Sequence, residues 1–215
     1  MTSHGELNLP ELARYLQERL QQPLPGVTAH EAMFPSSRGK LKARYRSNLP
    51  LRQGSVLLLL FEQAGEIYFP LIKRPEYTGV HGGQVSLPGG KAEPGETALQ
   101  TALREGEEEI GIAGEKVTAL GQLTSFNVVV SNIYITPIVG TYEGVPEFVP
   151  DPREVDRVLY GSVSQLRLQR EIPKREVMSG TSFPLLAPHF EVQEEVVWGA
   201  TAMILNEFRL LLRGE

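Results

Sequence analysis

The longest unbroken apolar run in this chain is Val56 to Phe61. It is far short of the roughly 20 residues a membrane-spanning helix needs, so Ser55 to Glu62 reads as a buried strand. A strand that is apolar on both faces must be covered on both. Gln63-Ala64-Gly65 turns the chain, and Ile67 to Lys73 returns as a second strand. Further strands are expected at 117–124, 132–142 and 155–160, with a hairpin of 183–192 against 194–198. Helices are expected at 97–110, 162–168 and 200–212, the last with Ile204, Phe208 and Leu211 on its apolar face. This order predicts an α/β (α+β) sandwich, with helices covering both faces of a mixed sheet.

Upstream, Asn8 caps a predicted helix with Pro10 in its first turn and Leu9, Leu12, Leu16 and Leu20 at helical spacing, ended by Pro23-Leu24-Pro25-Gly26. Residues 27–54 have no clean period and carry Arg38, Lys40, Lys42, Arg44 and Arg46, either a solvated face or a phosphate-attracting one. The expected division is an N-terminal extension, 1–50, packed on a main domain, 51–215. The net charge of −5 argues against a general nucleic-acid binder. The absence of cysteine excludes disulfides, thiolate zinc sites and a cysteine nucleophile. With no basic-then-apolar leader at 1–9, the chain reads as soluble, without a membrane partner, and cytoplasmic.

The helix at 97–110 carries the chemistry. At about 100° per residue, Leu99, Leu103, Gly106 and Ile110 form one stripe, expected to pack on the sheet. Glu105, Glu108 and Glu109 share the i, i+3, i+4 relation and are expected roughly opposite that stripe. Like charges at this spacing repel, and the negative end of the helix dipole adds to the cost. Full solvation or a bound cation relieves it, and oxygen donors of this kind suit magnesium or manganese. Arg104 adjoins the cluster to pair with a carboxylate, Gly111 is a C-terminal cap, and Leu87-Pro88-Gly89-Gly90 brings permissive backbone toward the helix start.

Gly90, Glu96 and Arg104-Glu105-Gly106-Glu107-Glu108-Glu109-Ile110-Gly111-Ile112, at these spacings, resemble the Nudix box. Gly106 departs from it and is expected to allow closer helix packing or to cost some stability. The resemblance implies a Nudix-type α/β/α sandwich and metal-dependent hydrolysis of a nucleoside diphosphate linked to another moiety. By position it implies Glu105, Glu108 and Glu109 as ligands of Mg2+ or Mn2+, with the Gly89 or Gly90 carbonyl as a further oxygen. Arg104 orients the set through Glu96. A general base outside the box is sought first at Glu154, then at Glu143 and Glu147, all equally readable as surface carboxylates.

Leu71-Ile72-Lys73-Arg74, Gly83 to Gly90, Pro188-His189-Phe190 and Val197 to Ala202 resemble the coenzyme A pyrophosphatases of that superfamily. The expected reaction is conversion of coenzyme A or its thioesters to 4′-phosphopantetheine and adenosine 3′,5′-bisphosphate, with Arg74, Gln84, Gly89 and Gly90 binding substrate. Gly79 replaces an arginine of that motif and Leu87 a phenylalanine. ADP-ribose, NADH or a nucleotide sugar is the alternative substrate, and a non-catalytic nucleotide-binding regulator the alternative class. Arg74 equally reads as a surface ion pair, His81 as a solvated loop residue and Trp198 as core packing. Ser86 lacks a nucleophile elbow and Gly89-Gly90-Lys91 lacks Walker spacing. The N-terminal helix and exposed strand edges leave room for a homodimer.

Overall fold

The structure is a computed structural model describing residues 8–36, 50–76, 82–129, 131–179 and 183–215. Its central strand, β1 (Arg52–Gln63), divides two cores. Leu57, Leu59 and Phe61 enter one, Leu58 and Leu60 the other, and none of the five is exposed. The first core lies under α3 (Ala98–Ile110). The second lies under α1 (Leu9–Arg19) and α5 (Gly199–Arg213). A mixed sheet thus sits between helical layers, as the apolar run requires.

β1 pairs antiparallel with β2 (Glu66–Lys73) and β4 (Gly89–Lys91), and parallel with β7 (Ile133–Tyr142). The β1–β2 turn places Ala64 and Gly65 at φ 54° and 80°, the left-handed pair a two-residue hairpin turn needs. β2 also carries β3 (Val85–Ser86) and β8 (Arg157–Ser162). β7 carries β5 (Val117–Gln122) and β6 (Phe126–Val128). The order is β3-β2-β1-β7-β5, with β4, β6 and β8 attached. α1 starts where expected, with the Asn8 side chain accepting the Glu11 N–H at 2.9 Å. No helix among the described residues is long and apolar enough to cross a membrane.

Several expectations change. The loop at 75–95 holds β3 and β4, and the unpatterned stretch after residue 26 holds α2 (Gly26–Glu31). The strand expected from Val155 starts at Arg157, because the Val155 and Asp156 N–H groups go to Asp151 and Lys73 carbonyls. The hairpin expected over 183–198 is two hairpins. β10 (Phe183–Pro188) pairs with β9 (Lys174–Ser179), and β11 (Phe190–Val192) with β12 (Glu195–Val197). Pro188 has no N–H to continue a ladder, and His189 sends its N–H to Pro173. The basic stretch at 38–46, Gly79 and His81 lie outside the described residues.

Candidate functional site

α3 is fixed at both ends. Thr97 and Gln100 form a reciprocal capping box, and Gly111 closes the helix at φ 71°. The loop after β7 then covers the last carbonyls: Val149 N–H donates to Ile110 O at 3.0 Å and Asp151 N–H to Glu109 O at 2.9 Å. The same loop turns at Asp151, whose carbonyl accepts the Glu154 and Val155 N–H groups. Asp156 N–H donates to Lys73 O at 2.8 Å, joining the loop to the end of β2. Arg74 follows Lys73, and its N–H donates to the Gln84 carbonyl at 3.0 Å. Three segments therefore meet over the C-terminal half of α3.

Arg104 organises its outer face. Its guanidinium donates to Glu96 at 2.7 and 3.1 Å, to Glu105 and Glu108 at 3.0 Å each, and to the Lys91 carbonyl at 3.0 Å. That last contact, to a backbone atom, leaves no trace in the sequence. The Arg104 hydrogen bonds, with the Glu93 N–H, hold Glu96 down to about 2. Burial pushes Glu105 up against the pull of Arg104, and the charges of Glu108 and Glu154 add to it. Glu108 remains largely solvent-exposed.

Glu109 corrects the sequence reading. It is not opposite the apolar stripe but 2% exposed, among Thr101, Ala102, Gly106 and Ile110, while Leu99 and Leu103 are only partly buried. At 100° per residue Glu109 stands only about 60° from Gly106 around the axis, so the buried sector takes it in. Its carboxylate accepts the Gly89 N–H at 2.8 Å and meets Arg74 at 3.4 Å. Burial raises it to about 7; Gly89 and Arg74 oppose the rise, and Glu105 and Glu154 reinforce it.

The glycines are set by contact. A Cβ on Gly90 would fall 2.4 Å from the Glu105 carboxyl carbon, and one on Gly89 would fall 2.3 Å from the Ser55 carbonyl oxygen. A Cβ on Gly106 would meet Ile112 at 3.2 Å and Leu57 at 3.4 Å, so α3 lies close on β1 there.

The structure thus brings Arg74, Gln84, Gly89, Gly90, Arg104, Glu105, Glu108, Glu109 and Glu154 to one locality. Glu143 and Glu147 are exposed. Trp198 is half-buried just before α5. Ser86 Oγ is buried without a hydrogen-bond partner, so no side chain among the described residues activates it.

As they stand, no three His, Asp or Glu side chains among the described residues are grouped to hold a metal ion. Arg104 takes oxygens of Glu105 and Glu108, and Gly89 takes one of Glu109. The donor set still fits a hard divalent cation: three carboxylates on one helix, a glycine carbonyl region with no side chain in the way, and burial with mutual repulsion that raises Glu105 and Glu109 despite Arg104 and Arg74.

The NUDIX domain family model matches residues 51–179. The sequence is 35% identical over 147 residues to the "Uncharacterized Nudix hydrolase NudL" of Yersinia pestis (strain Pestoides F), covering 63% of this chain and 68% of that one. The same figures hold for the protein of that name from Yersinia pseudotuberculosis serotype O:1b (strain IP 31758). Similar solved structures include a MutT/nudix family protein from Enterococcus faecalis, with TM-score 0.49 and 16% identity over 95% of this chain and 75% of that one. A C. elegans Ap4A hydrolase binary complex gives TM-score 0.44 and 18% identity over 53% and 82%.

Proposed function

The chain belongs to the NUDIX family and is a Nudix hydrolase acting on pyrophosphate bonds, and from that premise we propose that it cleaves coenzyme A or its thioesters to 4′-phosphopantetheine and adenosine 3′,5′-bisphosphate. Nudix hydrolases generally use divalent metal ions. Here Glu105, Glu108 and Glu109 are proposed to hold Mg2+ or Mn2+, with the Gly90 carbonyl beside them. The observation that carries the site assignment is the buried Glu109, held at Gly89 N–H and next to Arg74, on the helix that also presents Glu105 and Glu108.

Each residue has a part in the proposed reaction. The metal supplies charge neutralisation at the phosphate oxygens and a more acidic water. Arg104 holds Glu105, Glu108 and Glu96 in register, and competes with the cation for the first two. Arg74 offers its guanidinium to a substrate phosphate oxygen. Glu154 takes the proton of the attacking water at a carboxylate oxygen while the bridging P–O bond breaks. Its charge already bears on Glu105 and Glu109.

For the substrate, support comes from the two motif segments that end in Arg74 and in Gly89-Gly90, which reach this site. The two departures from the coenzyme A motif differ in kind. Leu87 is 1% exposed in the core under α5, so a leucine there is a change of core packing. Gly79 removes a phosphate-binding guanidinium, and it keeps ADP-ribose, NADH and nucleotide sugars as the competing reading.

The test is turnover of coenzyme A, acetyl-coenzyme A, ADP-ribose, NADH and a nucleotide sugar with Mg2+ or Mn2+, products identified by mass. The expected result is a kcat/KM for coenzyme A at least about tenfold above the rest, some 1.4 kcal/mol of transition-state preference. Brisk ADP-ribose cleavage without coenzyme A turnover ends the coenzyme A reading and leaves the diphosphate chemistry standing.

A further inference from the structure

β11, β12 and α5 lie beyond residue 179, outside the segment the NUDIX family model matches. They nonetheless reach the strands that carry the site. Glu195, first residue of β12, accepts a hydrogen bond from Lys73 Nζ at 2.7 Å through Oε1 and pairs through the same oxygen with the Arg157 guanidinium. Lys73 and Arg157 are direct cross-strand neighbours on β2 and β8. Directly opposed residues of an antiparallel pair point to one face, so two cations stand side by side there with one carboxylate between them.

These are the strand ends that build the site. Arg74 follows Lys73 and, one residue on, points to the opposite face, where it meets Glu109. Asp156, just before Arg157, donates its N–H to the Lys73 carbonyl, and Glu154 is two residues further back. The hairpin bearing Glu195 is held at a second point, where Gln193 Oε1 accepts the Tyr160 N–H at 3.1 Å. Its turn residues Gln193 and Glu194 sit at φ 49° and 69°, a conformation usually left to Asn and Gly. The hairpin is therefore seated on β8 in a defined register. α5 adds a contact behind β3, where Thr201 Oγ1 donates to the Val85 carbonyl at 3.3 Å.

We propose that Glu195 is a positioning residue of the hydrolase site: from the far face of the sheet it holds the Lys73–Arg157 pair together and thereby fixes where β2 delivers Arg74 and where the 151–156 loop delivers Glu154. Lys73 and Glu195 are partly buried and Arg157 is half exposed, and ion pairs open to solvent contribute modestly to stability. The removal of Glu195 does more than delete a contact, since it leaves like charges directly opposed across the strands. This inference rests on the assignment of Arg74, Glu109 and Glu154 to the site.

The test uses the full-length protein and whichever diphosphate substrate it turns over fastest. Glu195→Gln is expected to lower kcat about tenfold, as a small displacement of site groups does, with the melting temperature changed by no more than about 3 °C. Adding Arg157→Met removes the like-charge opposition and is expected to restore most of the lost kcat; Glu195→Asp is expected to fall between wild type and Glu195→Gln. Unchanged kcat in folded Glu195→Gln overturns the proposal, as does a double variant no better than the single one. Should Glu195→Gln not fold, a wild-type kcat in Glu195→Asp together with a wild-type kcat in Arg157→Met overturns it, and a loss in Glu195→Asp that Arg157→Met relieves supports it. Glu109→Gln, assayed in parallel, separates the two levels. Full activity there fells the site assignment itself, whereas an inactive Glu109→Gln beside a wild-type Glu195→Gln fells only the positioning role.

Discussion

Two glutamates are buried on helices at opposite faces of the sheet, and their surroundings differ in kind. Glu207 of α5 is wholly inaccessible and surrounded by partners. Its carboxylate accepts from Thr124 Oγ1 at 2.6 Å, from the Thr124 N–H at 3.3 Å and from the Gly26 N–H at 3.2 Å, and it pairs with His30 Nε2 at 2.9 Å. Burial pushes it upward, but His30 and Thr124 outweigh that and hold it below the usual carboxylate value. Glu109 of α3 has one backbone N–H, a long contact to Arg74 and two nearby carboxylates, and it rises to about 7. A buried carboxylate supplied with donors fastens elements together. One short of donors and crowded by like charges stores a need for a cation, which is what a metal site provides.

Neutral isosteres at the two positions should therefore have opposite consequences. Glu109→Gln is expected to cut kcat by at least about 10²-fold, with metal-free stability equal to or above wild type. Glu207→Gln is expected to leave kcat per folded molecule intact and to cost on the order of 3 kcal/mol, because the buried cluster of His30, Thr124 and Gly26 loses the charge and one of the two acceptor oxygens it is built around, with an amide NH2 in that oxygen's place. Denaturant unfolding alongside steady-state rates reads both. A stability loss at Glu109 with retained turnover would invert the comparison.

The pH dependence of metal-free stability sharpens it further. Glu109 has a folded value near 7 against 4.5 for the unfolded chain. Below pH 4.5 its burial costs nothing. As pH rises from 4.5 to 7 the unfolded chain ionises first, and stability falls by on the order of 3 kcal/mol. Glu207 has the opposite sign. Its contribution is complete above pH 4.5 and is lost as pH falls through its lower folded value. Urea unfolding from pH 3 to 8 should show the neutral-side slope vanish in Glu109→Gln and the acid-side slope shrink in Glu207→Gln. Identical profiles for the two variants would contradict these environments.

Much of this was legible from local rules. Asn8 and Gly111 cap where their chemistry says they should, and Val56 to Phe61 is the doubly covered strand its composition demands. Gly90 and Gly106 both prove to be places where side-chain space is already taken. The failures have physical causes as well. β3 and β4, of two and three residues, are too short to show a period. The apolar periodicity of α3 runs through Leu99 and Leu103, but the buried sector is turned toward Glu109, whose carboxylate meets the Gly89 N–H there. The partners of Glu195 and Glu207 are separated from them by as many as 122 and 181 residues. Nothing local distinguishes these glutamates from solvated ones, so neither role could be seen before the chain was folded.

The α3 carboxylates are proposed to form a divalent cation site centred on Glu109. Manganese titration followed by electron paramagnetic resonance, at pH 8 so that Glu109 is ionised in wild type, tests it most directly. Saturable binding is predicted, weakened at least about tenfold in Glu109→Gln and unchanged in Glu207→Gln. Equal manganese affinity in wild type and Glu109→Gln would contradict the account.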